Sequence, residues 1–292
     1  MSAVLEAALA ATRRDVAAHL QRVMAAFGSD RVAAAMRYAL EGGKRVRACL
    51  VIEGARLHDQ PPARAIWPAC AIEAMHAYSL VHDDLPCMDD DALRRGRPTL
   101  HVAWDEATAV LAGDALQALA FELAAHPDGA ADPAARADLA FSLAQAAGGR
   151  GMVLGQALDI AAESAPEPLD LQAIGALQQA KTGALIGWAA CAGARMASAD
   201  PAPLAAYAGA LGLAFQIQDD IIDATGDARL AGKAVGKDAA AGKATFVSLM
   251  GLDGARRRAA ALAEEACEAL SCYGPAAETL RQLAHFAICR HN

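Results

Sequence analysis

The run LVHDDLPCMDDDALRRGRP, Leu80 to Pro98, holds Asp83, Asp84, Asp89, Asp90 and Asp91 together with Arg94, Arg95 and Arg97. A second acidic set, Asp219, Asp220 and Asp223, closes the apolar segment AGALGLAFQIQ. Asp219 and Asp223 are four residues apart, about 40° around a helix, so both carboxylates face one way and repel unless a cation lies between them. Asp83 and Asp89 are six apart, about 240° around an ideal helix, and share an ion only if the helix distorts. Pro86 supplies a cause, because it lacks an amide donor and crowds the preceding turn. Oxygen ligands without His or Cys spacing select a hard cation. Mg²⁺ takes one or two carboxylates and completes its shell with water and phosphate oxygens. A phosphorylated substrate is the expected partner.

Cations stand where such an anion would need them: Lys44, Arg45 and Arg47 in GGKRVR, the three arginines of LRRGRP, Lys181 in QQAKTG, and Lys233, Lys237 and Lys243 further on. Arg forks grip phosphate bidentately, and Lys acts as a point charge. Each set alone also reads as a solvated helix end. Their combination, with carboxylates finishing two apolar helices and no lysine interleaved, favours a site. Rival phosphate devices are absent: Gly232-Lys233 and Gly242-Lys243 are both followed by alanine, not Ser or Thr, and no GxGxxG, GxSxG or HExxH occurs.

The elements that must carry these residues are helical. Ala dominates beside Leu, Glu, Gln and Arg, and alternating Val, Ile and Thr runs are missing, which predicts an all-α fold. Breakers at Gly42-Gly43, Pro61-Pro62, Pro86 onward, 126–133, Gly148-Gly149, 163–168, 198–203, Gly226 and Gly232 leave room for ten or more helices. Those over 68–85, 135–147, 170–194 and 203–223 are apolar around much of their circumference, as in a thick bundle around a central cavity. With no repeat and no linker-like composition shift, residues 1–292 are expected to form one domain.

A net charge of −8 and 4 % aromatics argue against nucleic acid as a partner. Seven cysteines without CxxC or zinc spacing read as reduced thiols, mostly small core residues, in a cytoplasmic protein. The N-terminal MSAVLEAALAATRRD lacks an export pattern, and the uncharged stretch 183–194 is too short to span a bilayer, which takes roughly 20 residues. No stable membrane insertion is expected.

EGGKRVR, HAYSLVHDDLPCMDDDALRRGRPTLH, GQALD, AKTG, FQIQDDIID and the Gly-Lys at 232–233, in this order, resemble the trans-isoprenyl diphosphate synthase family, specifically its bacterial short-chain branch that makes farnesyl diphosphate. The match runs from about Tyr38 to the C-terminal basic stretch around Arg290. The resemblance implies the isoprenoid synthase fold and a Mg²⁺-dependent prenyltransferase joining isopentenyl diphosphate to dimethylallyl or geranyl diphosphate with release of diphosphate. It implies that Asp83, Asp89 and Asp219 hold three Mg²⁺ ions (Mn²⁺ being able to substitute) on the allylic diphosphate, helped by Arg94, Lys181, Thr182, Gln216 and Lys233. Gly43, Lys44, Arg47, His76 and Arg95 would hold isopentenyl diphosphate. Asp84 belongs to the catalytic motif, and Asp223 joins the ligands through its i+4 geometry.

Within the resemblance, the helix before Asp83 lines the pocket for the growing chain. Tyr78 lies five residues back, about 7.5 Å deeper at 1.5 Å per residue, and with Ser79 limits chain length to fifteen carbons. His82 reads as a structural helix residue and Tyr78 has a plain core-aromatic alternative. Departures from the family pattern are Ala92, often aspartate in relatives, and Phe246-Val247, often Tyr-Pro. Alternatives are a geranylgeranyl diphosphate synthase and a non-catalytic regulatory subunit of the same fold. A terpene cyclase would be expected to carry more aromatics and no second diphosphate pocket. Family members are homodimers, and the apolar helix 107–125 is the expected interface.

Overall fold

A computed structural model describes residues 2–163, 165, 168–225 and 245–289. The all-α expectation holds: among the described residues the only sheet is a hairpin of β1 (Leu93–Arg94) and β2 (Arg97–Pro98). By its internal packing the chain divides into two compact units, residues 6–143 with 192–199, and residues 1–5, 144–191 and 200–292.

In the first unit, α1 (Ala3–Met24), α2 (Arg31–Leu40), α3 (Val46–Leu57), α4 (Pro62–Asp83), the short α5 (Leu100–Ala103), α6 (Glu106–Ala124) and α7 (Pro133–Ala147) follow in order. Their ends are chemically specified. Asp30 accepts from the Ala33 amide at 3.0 Å and Asp105 from Thr108 at 2.7 Å, each supplying an acceptor for a helix-start donor that has no intrahelical partner. α4 packs on α3 and α6, and Leu50, Ile72, Met75, Leu116 and Leu119 are almost wholly buried. The helix starts at Pro62, at the Pro61-Pro62 breaker, six residues before the apolar segment expected over 68–85, and carries Pro68 inside. Burial of Ala65, Ala69 and Ile72 offsets the one backbone bond that Pro68 cannot make. α6 is long and apolar enough to cross a membrane by length and composition alone, and half of it is buried in the structure.

The second unit holds α8 (Met152–Glu163), α9 (Leu171–Gln178), a π-turn over Gln179–Gly183, the start of α10 (Ala184–Met196), α11 (Ala202–Thr225), α12 (Phe246–Ala269), a 3₁₀ stretch over Ser271–Ala277, and α13 (Glu278–Cys289). α11 lies along α12, with Ile174, Ile217, Ile221, Phe246 and Leu262 at the contact. The fully buried Tyr207 donates its hydroxyl to the Leu280 carbonyl at 2.8 Å. All seven cysteines are free, as reduced thiols require. Only Cys49, Cys70 and Cys191 are core residues, whereas Cys87, Cys272 and Cys289 are exposed.

Candidate active site

The end of α4 answers the spacing problem of the first acidic set. The helix stops at Asp83, three residues before Pro86, and the chain folds back so that the Asp89 amide donates to the Asp83 carbonyl at 2.9 Å. Asp90 turns the corner in the left-handed region (φ 50°), a conformation that aspartate tolerates better than most residues. Two residues that an ideal helix would put on opposite sides are therefore neighbours, Asp83 half-buried and Asp89 exposed.

Asp84 is directed elsewhere. It is 4 % exposed, and its Oδ1 accepts from Nε and Nη2 of Arg94, both at 2.5 Å. Burial raises the Asp84 carboxyl above its usual range, against the pull of Arg94. Burial works against the Arg94 charge, but the bond and charge of Asp84, together with the charges of Asp91 and Asp83, outweigh it and hold that guanidinium on. Asp84 thus positions Arg94.

Arg94 and Arg95 sit on the hairpin, whose two turn residues, Arg95 (φ 53°) and Gly96 (φ 75°), both take the left-handed conformation that tight two-residue hairpins demand. The turn sends the Arg95 guanidinium over Gly43, where a Cβ would meet Nη1 at 2.7 Å. Gly43 itself has φ 86°, so glycine is required twice over. Arg97 leaves the cluster: it lies 3.8 Å from the Tyr38 ring centroid and pairs with Glu41 at 2.8 Å.

The three cations of GGKRVR separate by depth. Arg45 is buried, in the left-handed conformation (φ 56°), and pairs with Glu73 at 2.9 Å while also reaching the Leu40 carbonyl. Glu73 takes the Ala48 amide at 3.0 Å with its other oxygen, tying the loop to α4. Arg47 points its Nη1 at His76 Nε2, 3.4 Å away, and leaves its buried Nε without a partner. Lys44 is exposed. Burial, then the charges of Arg47, Arg95, Arg94 and Arg45, push the His76 pKa well below its usual value, so the ring is neutral among four guanidiniums. The cluster gathers an excess of positive charge, partly desolvated, with an unused donor, a chemistry suited to an anion.

In the second unit, Lys181 and Thr182 lie on the π-turn, a geometry often found where a helix serves a site. Two glycines pack closely against it. A Cβ on Gly155 would fall 2.1 Å from the Lys181 nitrogen, and one on Gly212 would fall 3.3 Å from the Gly183 Cα. Lys181 Nζ is held by Asp159 Oδ2 at 2.7 Å. Gln216, Asp219 and Asp223 are half-buried on α11, one turn and more beyond Gly212. Asp220 accepts from the Phe246 amide at 2.7 Å, so it anchors the start of α12, to which its charge is also suited by the helix dipole. The departure Phe246-Val247 thus touches the second acidic set through the backbone.

Tyr78 and Ser79 lie on α4. Ser79 donates to the His76 carbonyl at 3.0 Å, and Tyr78 meets His82 edge to face at 4.9 Å. Sequence reasoning missed Glu73 and Asp159, the acidic partners of Arg45 and Lys181. The Asp of GQALD was the one signal for the latter. Lys233, Lys237, Lys243 and Arg290 lie outside the described residues.

The donor set suits a hard divalent cation. Asp83 with Asp89, and Asp219 with Asp223, are oxygen pairs. Among the described residues no three Asp, Glu, His or Cys side chains gather closely enough to hold an ion by themselves. A pair of carboxylates matches a cation that keeps waters and takes substrate oxygens.

The polyprenyl synthetase family profile matches residues 29–279. A probable farnesyl diphosphate synthase of Sinorhizobium fredii is 47 % identical over 264 residues, 88 % of this chain and 78 % of that protein. The farnesyl diphosphate synthase of Escherichia coli is 45 % identical over 84 % of this chain and 83 % of its own. The apo crystal structure of an FPP/GFPP synthase from Zymomonas mobilis superposes with a TM-score of 0.91 at 44 % identity, covering 98 % of this chain and all of that one. With the acidic turn, the arginine cluster and the π-turn lysine in place, these likenesses show that the chain belongs to the polyprenyl synthetase family.

Proposed function

We propose that this chain is a prenyltransferase that condenses isopentenyl diphosphate with dimethylallyl or geranyl diphosphate, releases diphosphate, and makes farnesyl diphosphate. The observation that carries it is the group of four arginines around a neutral His76, with a buried Arg47 Nε awaiting an acceptor. A dianionic headgroup is the chemistry that such a group is built to hold. Arg47, His76, Arg95 and Lys44, at the loop that Gly43 shapes, receive isopentenyl diphosphate. Arg45 and Glu73 fix that loop.

Asp83 and Asp89, with Asp219 and Asp223, are the ligands for divalent cations on the allylic diphosphate, taken to be three Mg²⁺ with Mn²⁺ as a substitute. When bound, the cations neutralise charge on the leaving diphosphate. Arg94, Lys181, Thr182, Gln216 and Lys233 complete that site, with Asp84 aiming Arg94 and Asp159 aiming Lys181. As the allylic carbon–oxygen bond ionises, these donors stabilise the developing charge. The double bond of isopentenyl diphosphate attacks the allylic carbon, forming the new carbon–carbon bond, and the departed diphosphate accepts the proton that the resulting cation loses, so neutral His76 is a hydrogen-bonding group and not the base. Tyr78 and Ser79 limit product length.

The whole chain acts as one domain, located in the cytoplasm, and pairs as a homodimer. In support, α6 exposes Val110 and Leu111, and Phe141 of α7 is 63 % exposed, an apolar surface suited to self-association. Geranylgeranyl pyrophosphate synthases of Arabidopsis thaliana are also 43 % identical, so product length decides between two readings.

Incubation with isopentenyl diphosphate and either allylic diphosphate, with and without Mg²⁺, should give a fifteen-carbon product only when the metal is present. No turnover in any pairing would overturn the enzyme reading in favour of a non-catalytic subunit. A twenty-carbon product would overturn the role of Tyr78.

A further inference from the structure

Tyr78 and His82 stand one turn apart on α4, and α6 grips both. The His82 ring fills the space over Gly113, where a Cβ would lie 2.0 Å from Nε2. Its Nε2–H donates to the Val110 carbonyl at 3.1 Å, about two turns before Gln117 along α6. The edge of the Tyr78 ring rests on this fixed imidazole, centroid to centroid 4.9 Å. The Gln117 side chain faces the Tyr78 phenol and, against burial and the charges of Asp83 and Asp114, favours its charged form. The tyrosine therefore meets His82 edge to face and turns its phenol toward Gln117, and α6 seats the one and carries the other.

A tyrosine moves by two side-chain torsions, and an unheld ring can swing aside at little cost when a growing chain presses on it. We propose that His82, seated in the Gly113 slot, and Gln117 are positioning residues that keep the Tyr78 ring across the path of the growing isoprenoid, so that α6 as well as α4 sets product length. This rests on the reading of Tyr78 as the chain-length limit. Neither Gly113 nor Gln117 touches the diphosphate groups in that reading, so their effect is on length and not on the reaction.

The test is the product distribution at excess isopentenyl diphosphate, measured by mass spectrometry for Tyr78→Ala, Tyr78→Phe, Gln117→Leu, Gln117→Glu, His82→Ala and Gly113→Ala. Tyr78→Ala should lengthen the product to twenty carbons or more. Gln117→Leu and Tyr78→Phe should each raise the twenty-carbon fraction about tenfold, and the double variant should add nothing, because both remove the same contact. Gln117→Glu, which replaces the N–H facing the phenol oxygen by an acceptor only, should lengthen the product as Gln117→Leu does. KM for isopentenyl diphosphate in Gln117→Leu should stay within about twofold of the parent. Gly113→Ala and His82→Ala should lengthen the product too, and if either fails to fold, Gln117→Leu carries the test alone. Should Tyr78→Ala still stop at fifteen carbons, the reading of Tyr78 falls and this proposal with it. Should Tyr78→Ala lengthen the product while Gln117→Leu does not, the proposal alone is overturned.

Discussion

Replacing Glu73 separates two effects that usually travel together. Its carboxylate, 5 % exposed, is the acidic partner of Arg45, itself 7 % exposed, and also takes the Ala48 amide. Removing one member of a buried pair costs about 3 to 5 kcal/mol, mostly because the remaining charge is left uncompensated. Glu73→Gln keeps an acceptor for Ala48, so the low end applies, about 3 kcal/mol. At about 2 °C per kcal/mol for a chain of this size, the melting temperature should fall by about 6 °C. Glu73→Ala also orphans the amide and should lose about 1 kcal/mol more. The same change makes the arginine cluster more positive, so diphosphate affinity at low salt should hold or rise while stability drops. Urea unfolding and calorimetric titration with isopentenyl diphosphate measure the two. The double variant Arg45→Met with Glu73→Leu should recover most of the stability. If Glu73→Gln cost less than about 1 kcal/mol, the pair would not be what holds the loop.

Further predictions concern charge, positioning and assembly. Because burial lowers the His76 pKa in the folded protein, the unfolded chain binds a proton that the folded one refuses; stability should therefore fall as pH drops below about 6.5, by at most about 1.4 kcal/mol per unit for this group. Melting scans from pH 7.5 to 5.5 should show His76→Gln losing less than the parent, with equal slopes counting against a neutral His76. His19, also lowered chiefly by burial, adds to the parent slope in both proteins. Asp159→Asn releases Lys181 and should raise KM for the allylic diphosphate about tenfold, the equivalent of about 1.4 kcal/mol of charged hydrogen bonding, with KM for isopentenyl diphosphate unchanged. Leu111→Glu should halve the mass seen by light scattering, and an unaltered dimer would place the interface elsewhere.

The helices were legible because alanine-rich segments end at residues with one physical meaning. Gly42 and Gly43 take positive φ, Asp30 and Asp105 cap, and Pro86 follows the last turn of α4. The distortion required of Asp83 and Asp89 was legible from their spacing, and the fold-back supplies it. What depended on depth was not. Lys44, Arg45 and Arg47 are adjacent and alike in sequence, yet one is exposed, one is paired with Glu73 and one faces His76. Asp84 and Asp220 look like their metal-competent neighbours, but an arginine and a helix amide occupy them. The π-turn at Lys181 packs against Gly155 and Gly212, residues 26 and 31 positions away, a contact that no local pattern encodes.

The account turns on two chemically different diphosphate sites, one of arginines and one of aspartates. Calorimetric titration of isopentenyl diphosphate and of geranyl diphosphate, each alone, with Mg²⁺ and then with EDTA, tests that division directly. Chelation should abolish geranyl diphosphate binding and leave isopentenyl diphosphate binding within about threefold, since guanidiniums need no metal to hold phosphate. Equal dependence of both ligands on Mg²⁺ would contradict it.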